Sequence, residues 1–416
     1  MKVLIASDFF TPTINGVVTS ITNLQQELER HGHEVKILTL RQKELYGYEE
    51  CVYVLPSFSA GRVYPGARVV RSLGKHEIDE IRAWKPDIIH TQNEFSTFFL
   101  SQVIASKLNI PIVHTFHTVY EDYVHYFSPS VTMGRTMVRK YFGTLLEKVD
   151  AVVVPTEKVR DILESYGVDT PIHTVPTGIN LDRFRNVDHG RARQALRAQY
   201  GIAPEEFLML SLGRLAKEKN VEEIITFLGR LPDGIRLVIV GGGPYQEILK
   251  AYAEETGLSH KVIFTGMVPP QEVPSYYHMA DVFVSASTSE TQGLTYVEAL
   301  ASGLPALCRR DGALDEVIID GINGWQYDSE AAFLESAHRL AADRELQDRM
   351  GEAALATAER YSTEAFYEGI LKVYETTLEQ TGKQYEPLPG WLKKQLHHYN
   401  LTYRAGKDKL IKTIRR

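Results

Sequence analysis

Cysteine is nearly absent from this 416-residue chain: Cys51 and Cys308 stand far apart, with no ligand spacing around either. Two isolated thiols exclude a disulfide framework and a cysteine-built zinc site. Their apolar, strand-like surroundings predict buried thiols in a reducing compartment. Long apolar runs are missing as well. No stretch of about 18 apolar residues occurs, so no membrane-spanning helix is expected. The opening Met1-Lys2-Val3-Leu4-Ile5-Ala6-Ser7-Asp8 soon meets a carboxylate and reads as a first strand rather than an export signal. There is no low-complexity tract and no short-period repeat. These absences predict a cytoplasmic protein, and no nucleic-acid partner is expected.

What is present is ordinary in composition, with 44% hydrophobic and 24% charged residues, as in soluble globular proteins. The length suits two cores rather than one. Short β-rich runs alternate with amphipathic helical stretches, as parallel strands joined by helices require. In the first half, strands are predicted at 2–6, 34–40, 87–90, 110–114 and 151–154. After Pro176-Thr177-Gly178 the composition shifts to a charged, arginine-rich segment at 180–201. A new series of strands follows at 207–212, 236–240, 262–264, 282–285 and 305–308. The expected fold is α/β, two Rossmann-like doubly wound domains at 1–178 and 179–374, with a basic helical extension at 375–416. Ligands of open parallel sheets bind beyond the carboxyl ends of the strands, so two such edges facing one another would form a cleft.

The most informative segment is 289–305, SETQGLTYVEALASGLP. Gly293 permits close backbone approach to a phosphate, and the unpaired N–H groups opening a helix favour an anion. Glu290 on the loop suits sugar hydroxyls, and Glu298 on the helix suits a ribose. Two glutamates at a given spacing also arise by chance, as one solvated loop residue and one on a helix. The surrounding string decides between these readings. Glu290 to Glu298, with Gly293, Leu294 and the stretch 301–305, resembles the E-x7-E signature of the retaining GT-B glycosyltransferases of family 4. Ala280-Asp281-Val282-Phe283-Val284, the stretch 311–316 and Gly321-Ile322-Asn323-Gly324 resemble other donor-domain segments of that family. The likeness extends to about Tyr374.

Other strand-end loops gain meaning from the same resemblance. Gly16 opens the first helix, where the family's glycine loop lies close to the donor diphosphate. Gly213-Arg214-Leu215-Ala216-Lys217-Glu218-Lys219 resembles the GRL-x-x-E-K motif, which assigns Arg214 and Lys219 to the diphosphate and leaves Lys217 a bystander. Chemically, such cations offset the negative charge that builds on a departing diphosphate. Gly241-Gly242-Gly243-Pro244 lacks the G-x-G-x-x-G spacing of a dinucleotide site. The backbone around Val268 is implied to read the nucleobase. His114 and His117 fit either a two-histidine metal site, for which no further ligand is arranged, or structural histidines. The structural reading is preferred for His114, whereas the family places a histidine at His117 beside the reacting sugar. Residues 118–126, TVYEDYVHY, resemble a stretch of bacterial diacylglycerol glucosyltransferases.

A lipid acceptor has to be met at a bilayer surface, and three stretches carry cations among apolar residues. Arg62, Arg68, Arg71 and Lys75 form the first, and Arg135, Arg139 and Lys140 the second. The tail is the third: Lys393 and Lys394 flank a Leu392, Leu396, Tyr399, Tyr403 stripe, and residues 391–416 hold eight cations against the single anion Asp408. An apolar stripe is more often core, and that is the expectation for 361–374.

The resemblance implies a retaining hexosyltransferase that moves glucose from UDP-glucose to 1,2-diacylglycerol without a metal or other cofactor. It would act while attached peripherally to the anionic inner face of the cell membrane. His117, Arg214, Lys219 and Glu290 would be catalytic. Gly16, Val268, Gly293, Leu294, Thr295 and Glu298 would complete the donor site. The alternatives are a different acceptor (phosphatidylinositol, a polyprenyl-linked glycan or a teichoic-type polymer), a UDP-sugar 2-epimerase, and a non-catalytic membrane scaffold.

Overall fold

The computed structural model describes residues 1–13, 15–42, 51–59, 68–71, 75–121 and 130–380. Two units of similar size emerge. The first takes Met1–Val154, Leu163–His173 and the described residues from Ile370; the second takes Pro155–Ile162 and Thr174–Gly369. The chain thus enters the second unit at Pro155, returns, and enters it again at Thr174.

The first unit contains strands β1 (Lys2–Ser7), β2 (Glu34–Leu40), β3 (Val52–Leu55), a short hairpin of β4 (Ser57–Ser59) with β5 (Arg68–Val70), then β6 (Ile88–Thr91), β7 (Ile112–Thr115), β8 (Ala151–Val154) and β9 (Ile172–Thr174). Seven of these form one sheet in the order β3-β2-β1-β6-β7-β8-β9. Every residue of β6, β7 and β8 is buried, as expected when helices cover both faces of a parallel sheet. The chain works outward from β1 to β3 and resumes at β6 on the other side of β1, so the switch point lies between β1 and β6.

The second unit repeats the plan with β10 (Phe207–Leu212), β11 (Ile235–Val240), β12 (Val262–Gly266), β13 (Val282–Ser285), β14 (Ala306–Arg309) and β15 (Gly324–Tyr327), ordered β12-β11-β10-β13-β14-β15. Its switch point lies between β10 and β13. Alternation along β10 sorts the core into layers. Leu208 and Leu210 join one apolar cluster with Val238, Phe283 and Tyr296, while Phe207 and Met209 join the other with Leu237, Val284 and Phe333. Each fully buried side chain of this size stabilises the fold by roughly 2 kcal/mol.

The arginine-rich segment proves to be structural. Arg197 is buried and donates to the Met279, Ala203 and Glu206 carbonyls, while its Nη2 meets Asp281 Oδ2 at 2.6 Å. Arg193 takes the other oxygen of Asp281, also at 2.6 Å.

All ten predicted strands exist, with ends moved by one or two residues in several. Strands β3, β4, β5, β9 and β15 went unpredicted. The first helix runs Gly16–Arg30, because the Asn15 side chain caps it by accepting from Val18 N at 2.8 Å. Cys308 is buried in β14, but Cys51 is only half-buried, in a turn before β3, which corrects the expectation of two buried thiols. The core expectation for 361–374 holds, with Tyr361, Phe366, Ile370 and Tyr374 buried. The helix Thr363–Gln380 begins in the second unit and belongs to the first from Ile370 onward.

Candidate functional site

The two loops leaving β10 and β13 converge at the switch point of the second unit. Beyond β10, the backbone passes through a single 3-10 turn, Lys217–Lys219, and stops at Asn220 in a left-handed conformation. That turn delivers Lys219 to the neighbouring loop, where its Nζ lies 2.6 Å from Glu290 Oε1. Burial alone would raise the Glu290 carboxyl, yet the Lys219 ammonium, joined by the Ser287 side chain and the charge of Lys158, outweighs it and holds the group below the ordinary carboxylate range. Glu290 is therefore an anion. Arg214, half-exposed, is steadied by Glu218, whose Oε1 accepts from Nη2 at 2.6 Å. Lys217 is exposed, in keeping with a bystander.

Gly293 has φ of 78° and is the cap residue of the helix Leu294–Ala301. The N–H groups of the first helical turn have no acceptor within their helix, so Leu294 and Thr295 present donors at this end. Glu298 lies on the same helix, and its Oε2 accepts from Tyr277 O–H at 2.8 Å. Burial pushes its carboxyl up, against the opposing pull of the Tyr277 hydrogen bond and of Arg183. Val268 is half-buried just beyond β12 and packs against the core, with exposed Met267 beside it.

The loop that carries Glu290 is held from one side. Lys158 Nζ donates to the Glu290 carbonyl at 3.1 Å and to Asp311 Oδ1 at 2.6 Å. Thr156 Oγ1 donates to the Thr291 carbonyl at 2.8 Å. The Gln292 amide pairs with both main-chain polar groups of Thr177, each at 2.8 Å. Sequence reasoning missed all of these. Lys158 lies 132 positions from Glu290, and a lone lysine opening a helix carries no signal. The triple glycine is likewise structural: a side chain at Gly241 would strike the Gly213 carbonyl, and one at Gly243 the Leu215 carbonyl.

A second polar cluster occupies the strand ends of the first unit. After β1, Asp8 accepts from Thr97 N at 2.8 Å and Ser96 N at 3.2 Å, and burial raises its carboxyl to about 6. After β6 come Gln92, Asn93 and Glu94, all buried. His117 Nε2 lies 2.7 Å from Gln92 Oε1, and burial lowers its pKa to about 3, so the ring is neutral. Because the amide oxygen accepts, Nε2 carries the proton and Nδ1 is left as an acceptor. Tyr120 O–H donates to Glu94 Oε2 at 2.6 Å. The preferred structural reading of His114 fits one nitrogen: Nδ1 meets Thr91 Oγ1 at 2.8 Å, whereas Nε2 has no hydrogen bond and faces Glu94 Oε1 at 3.6 Å. Among the described residues, neither histidine joins a cluster of three metal-ligating groups. The polar residues Gln92, Asn93 and Glu94, which follow the buried strand Ile88–Thr91, were the signal that sequence reading passed over. Gly16 is the first residue of its helix, and the structure gives it no further distinction.

Of the basic stretches, the helix Val131–Leu146 is the most informative. It buries Gly134, Val138, Phe142, Leu145 and Leu146, and exposes Val131, Met133, Met137 and Tyr141 by 43–62%. Arg139 and Arg135 reach Glu121 at 2.8 and 3.8 Å, which offsets part of their charge, while Lys140 is exposed. Arg68 is spent on Ser57, to which its Nε donates at 2.8 Å, and Arg71 is exposed. Arg62, Lys393, Lys394, the stripe from Leu392 to Tyr403 and the Lys75 side chain lie outside the described part of the structure. No helix among the described residues is long and apolar enough to cross a membrane.

Two Rossmann-like units, one with a lysine-paired carboxylate and a glycine-opened helix at its switch point, define the class of GT-B glycosyltransferases. A family model described as "Glycosyltransferase Family 4" matches residues 14–183, and one described as "Glycosyl transferases group 1" matches residues 192–357. An alpha-monoglucosyldiacylglycerol synthase of Streptococcus pneumoniae is 38% identical over 335 residues, covering 79% of this chain and 76% of that one. Its counterpart from Acholeplasma laidlawii is 32% identical over 396 residues, covering 92% and 99%. A D-inositol 3-phosphate glycosyltransferase of Segniliparus rotundus is 30% identical, covering 79% and 72%. Among solved structures, Anabaena HepE in complex with UDP superposes with a TM-score of 0.70 at 16% identity, covering 90% of this chain and 100% of that one. The chain belongs to glycosyltransferase family 4 and is a hexosyltransferase, as the E-x7-E resemblance implied.

Proposed function

We propose that the protein transfers glucose from UDP-glucose to the free hydroxyl of 1,2-diacylglycerol with retention of configuration, working from the inner surface of the cell membrane. The observation that carries this reading is the Lys219–Glu290 pair beside the helix bearing Glu298, taken with the two alpha-monoglucosyldiacylglycerol synthases it resembles.

In this reading the anionic Glu290 accepts hydrogen bonds from the sugar hydroxyls, and Glu298 takes the ribose. The Ser289 hydroxyl, buried without a partner among the described residues, suits a ligand hydroxyl. The N–H groups of Gly293, Leu294 and Thr295 face the diphosphate, Val268 lies by the base, and Gly16 belongs near the diphosphate. As the glycosidic carbon–oxygen bond breaks, its electrons go to the phosphate, and Arg214 and Lys219 stabilise that charge. The departing phosphate oxygen takes the proton of the acceptor hydroxyl on the same face as the new bond forms. His117 Nδ1 accepts from a hydroxyl and orients it. Glu290 and Glu298 sit on one loop and its helix, so they are not the two flanking carboxylates of a glycosidase. With arginine and lysine supplying the positive charge, no metal or other cofactor has a role in this scheme. The exposed apolar residues Met133, Met137 and Tyr141 of the helix Val131–Leu146, with Lys140 among them and Arg135 and Arg139 on another side of the helix, support peripheral docking on an anionic bilayer, where each cation near the surface contributes about 1 kcal/mol.

The test is a donor-by-acceptor panel. Purified protein receives labelled UDP-glucose or UDP-galactose, with anionic or zwitterionic vesicles carrying diacylglycerol or phosphatidylinositol, or with soluble inositol phosphate, each with and without chelator. Labelled α-glucosyldiacylglycerol is expected from UDP-glucose and diacylglycerol, with or without chelator and faster on anionic vesicles. The resemblance to the D-inositol 3-phosphate enzyme makes transfer to inositol phosphate the second reading. Product from that arm alone would replace the first.

A further inference from the structure

We infer that Lys158 is a positioning residue for donor-sugar recognition: through the main chain of Glu290 it fixes where that carboxylate is presented. The inference rests on the donor-sugar role of Glu290 proposed above.

Lys158 and Asp311 form an ion pair of 2.6 Å, with side-chain exposures of 22% and 1%. Together they bracket the Glu290 peptide. Lys158 Nζ donates to its carbonyl at 3.1 Å, and Asp311 Oδ2 accepts from its N–H at 3.4 Å. Asp311 is itself fixed, accepting from Ala313 N at 2.9 Å and donating its own N–H to Gln326 Oε1 at 3.2 Å. The clamp is therefore anchored to main chain at one end and to the start of the helix Glu157–Ser165 at the other. A carboxylate three bonds removed from its Cα can turn about χ1 to χ3, but its reach is set by where the peptide lies. Thr156 on Thr291 and Thr177 on Gln292 restrain the next two residues from the same side. Lys158 differs from both, because it also adds positive charge close to Glu290 and helps to hold it ionised.

Lys158 touches the peptide and not the ligand, so its loss has a specific signature. Binding of UDP relies on Arg214, Lys219, Glu298 and the helix N-terminus, none of which Lys158 holds. Binding of UDP-glucose additionally needs the Glu290 carboxylate in place. The experiment is calorimetric titration of the whole chain with UDP and, separately, with UDP-glucose, for the wild type, Glu290→Gln, Lys158→Met and Lys158→Arg. Glu290→Gln is the reference and should weaken UDP-glucose while sparing UDP. Lys158→Met should follow it, weakening UDP-glucose about tenfold and UDP less than about twofold, as fits one charge-assisted hydrogen bond. Lys158→Arg should restore most of the loss. If Lys158→Met does not fold, Lys158→Gln replaces it, since it keeps a donor for the carbonyl but loses the ion pair.

Lys158→Met weakening both ligands equally would overturn the inference, as would a variant that leaves UDP-glucose untouched while Glu290→Gln does not. If Glu290→Gln itself showed no sugar-dependent loss, the donor-sugar reading would fall instead.

Discussion

Lys219 Nζ rests 2.6 Å from Glu290 Oε1, so a cation expected on the diphosphate and a carboxylate expected on the sugar neutralise one another. Glu290 is nearly buried, and removing its counter-ion strands a negative charge. Lys219→Met should cost about 1–3 kcal/mol of stability and abolish transfer. The double variant Lys219→Met/Glu290→Gln should recover most of the stability and none of the activity. Urea unfolding of the three proteins checks this, and additive losses in the double variant would contradict it.

Asp8 predicts a pH dependence of definite sign. Its folded-state value of about 6 lies above the ordinary 3.8, because burial penalises the charged form. Its contribution to stability is therefore complete below about pH 4 and is lost as pH rises through about 6. Asp8→Asn removes the titration while keeping an oxygen for Thr97 N. Relative to this variant, the wild type should gain up to about 3 kcal/mol between pH 7 and pH 4. Denaturant titrations across that range measure the difference, and a flat difference would refute it.

The glycine turn after β11 should tolerate no side chain. Gly241 has φ of 129° and faces the Gly213 carbonyl, so Gly241→Ala should lower stability by roughly 3 kcal/mol or more, or prevent folding. Gly234, with open space around it, should accept alanine within about 0.5 kcal/mol. Thermal melts of the two variants make the comparison, and equal behaviour would mean that the turn has room.

Docking of the helix Val131–Leu146 on a bilayer makes two opposite predictions. Met133→Ser with Met137→Ser should weaken vesicle binding by removing exposed apolar area. Glu121→Gln should strengthen binding to anionic vesicles about fivefold, since it releases Arg135 and Arg139 from their carboxylate. Co-sedimentation at low and high salt reads both. A Glu121→Gln protein that binds no better would count against this face.

The strands were legible because hydrophobic period and strand length are local properties, and all ten predicted strands exist, whereas their order in each sheet, and with it both switch points, is set by the folded chain. The residues proposed for the donor side are also local in sequence. Glu290, Gly293 and Glu298 lie within nine residues, and Arg214 and Lys219 share one loop, so short strings bring them into view. What supports them was not legible. Lys158, Thr156 and Thr177 reach the Glu290 loop only after the chain has folded, and no pattern in 155–177 anticipates it. Gln92, Asn93 and Glu94 were visible as a polar triplet, but their importance depends on β6 lying next to β1, which is a fact of topology.

Arg197 spreads one guanidinium over four carbonyls and a carboxylate inside the second unit. A lysine there would conserve the charge but present a single ammonium, and could not reach such widely spaced acceptors at once. The exchange commonly scored as mild would leave buried carbonyl oxygens without donors. Basic residues at 180–201 are accordingly a matter of geometry first, and two proteins with equal charge in this stretch need not be equally stable.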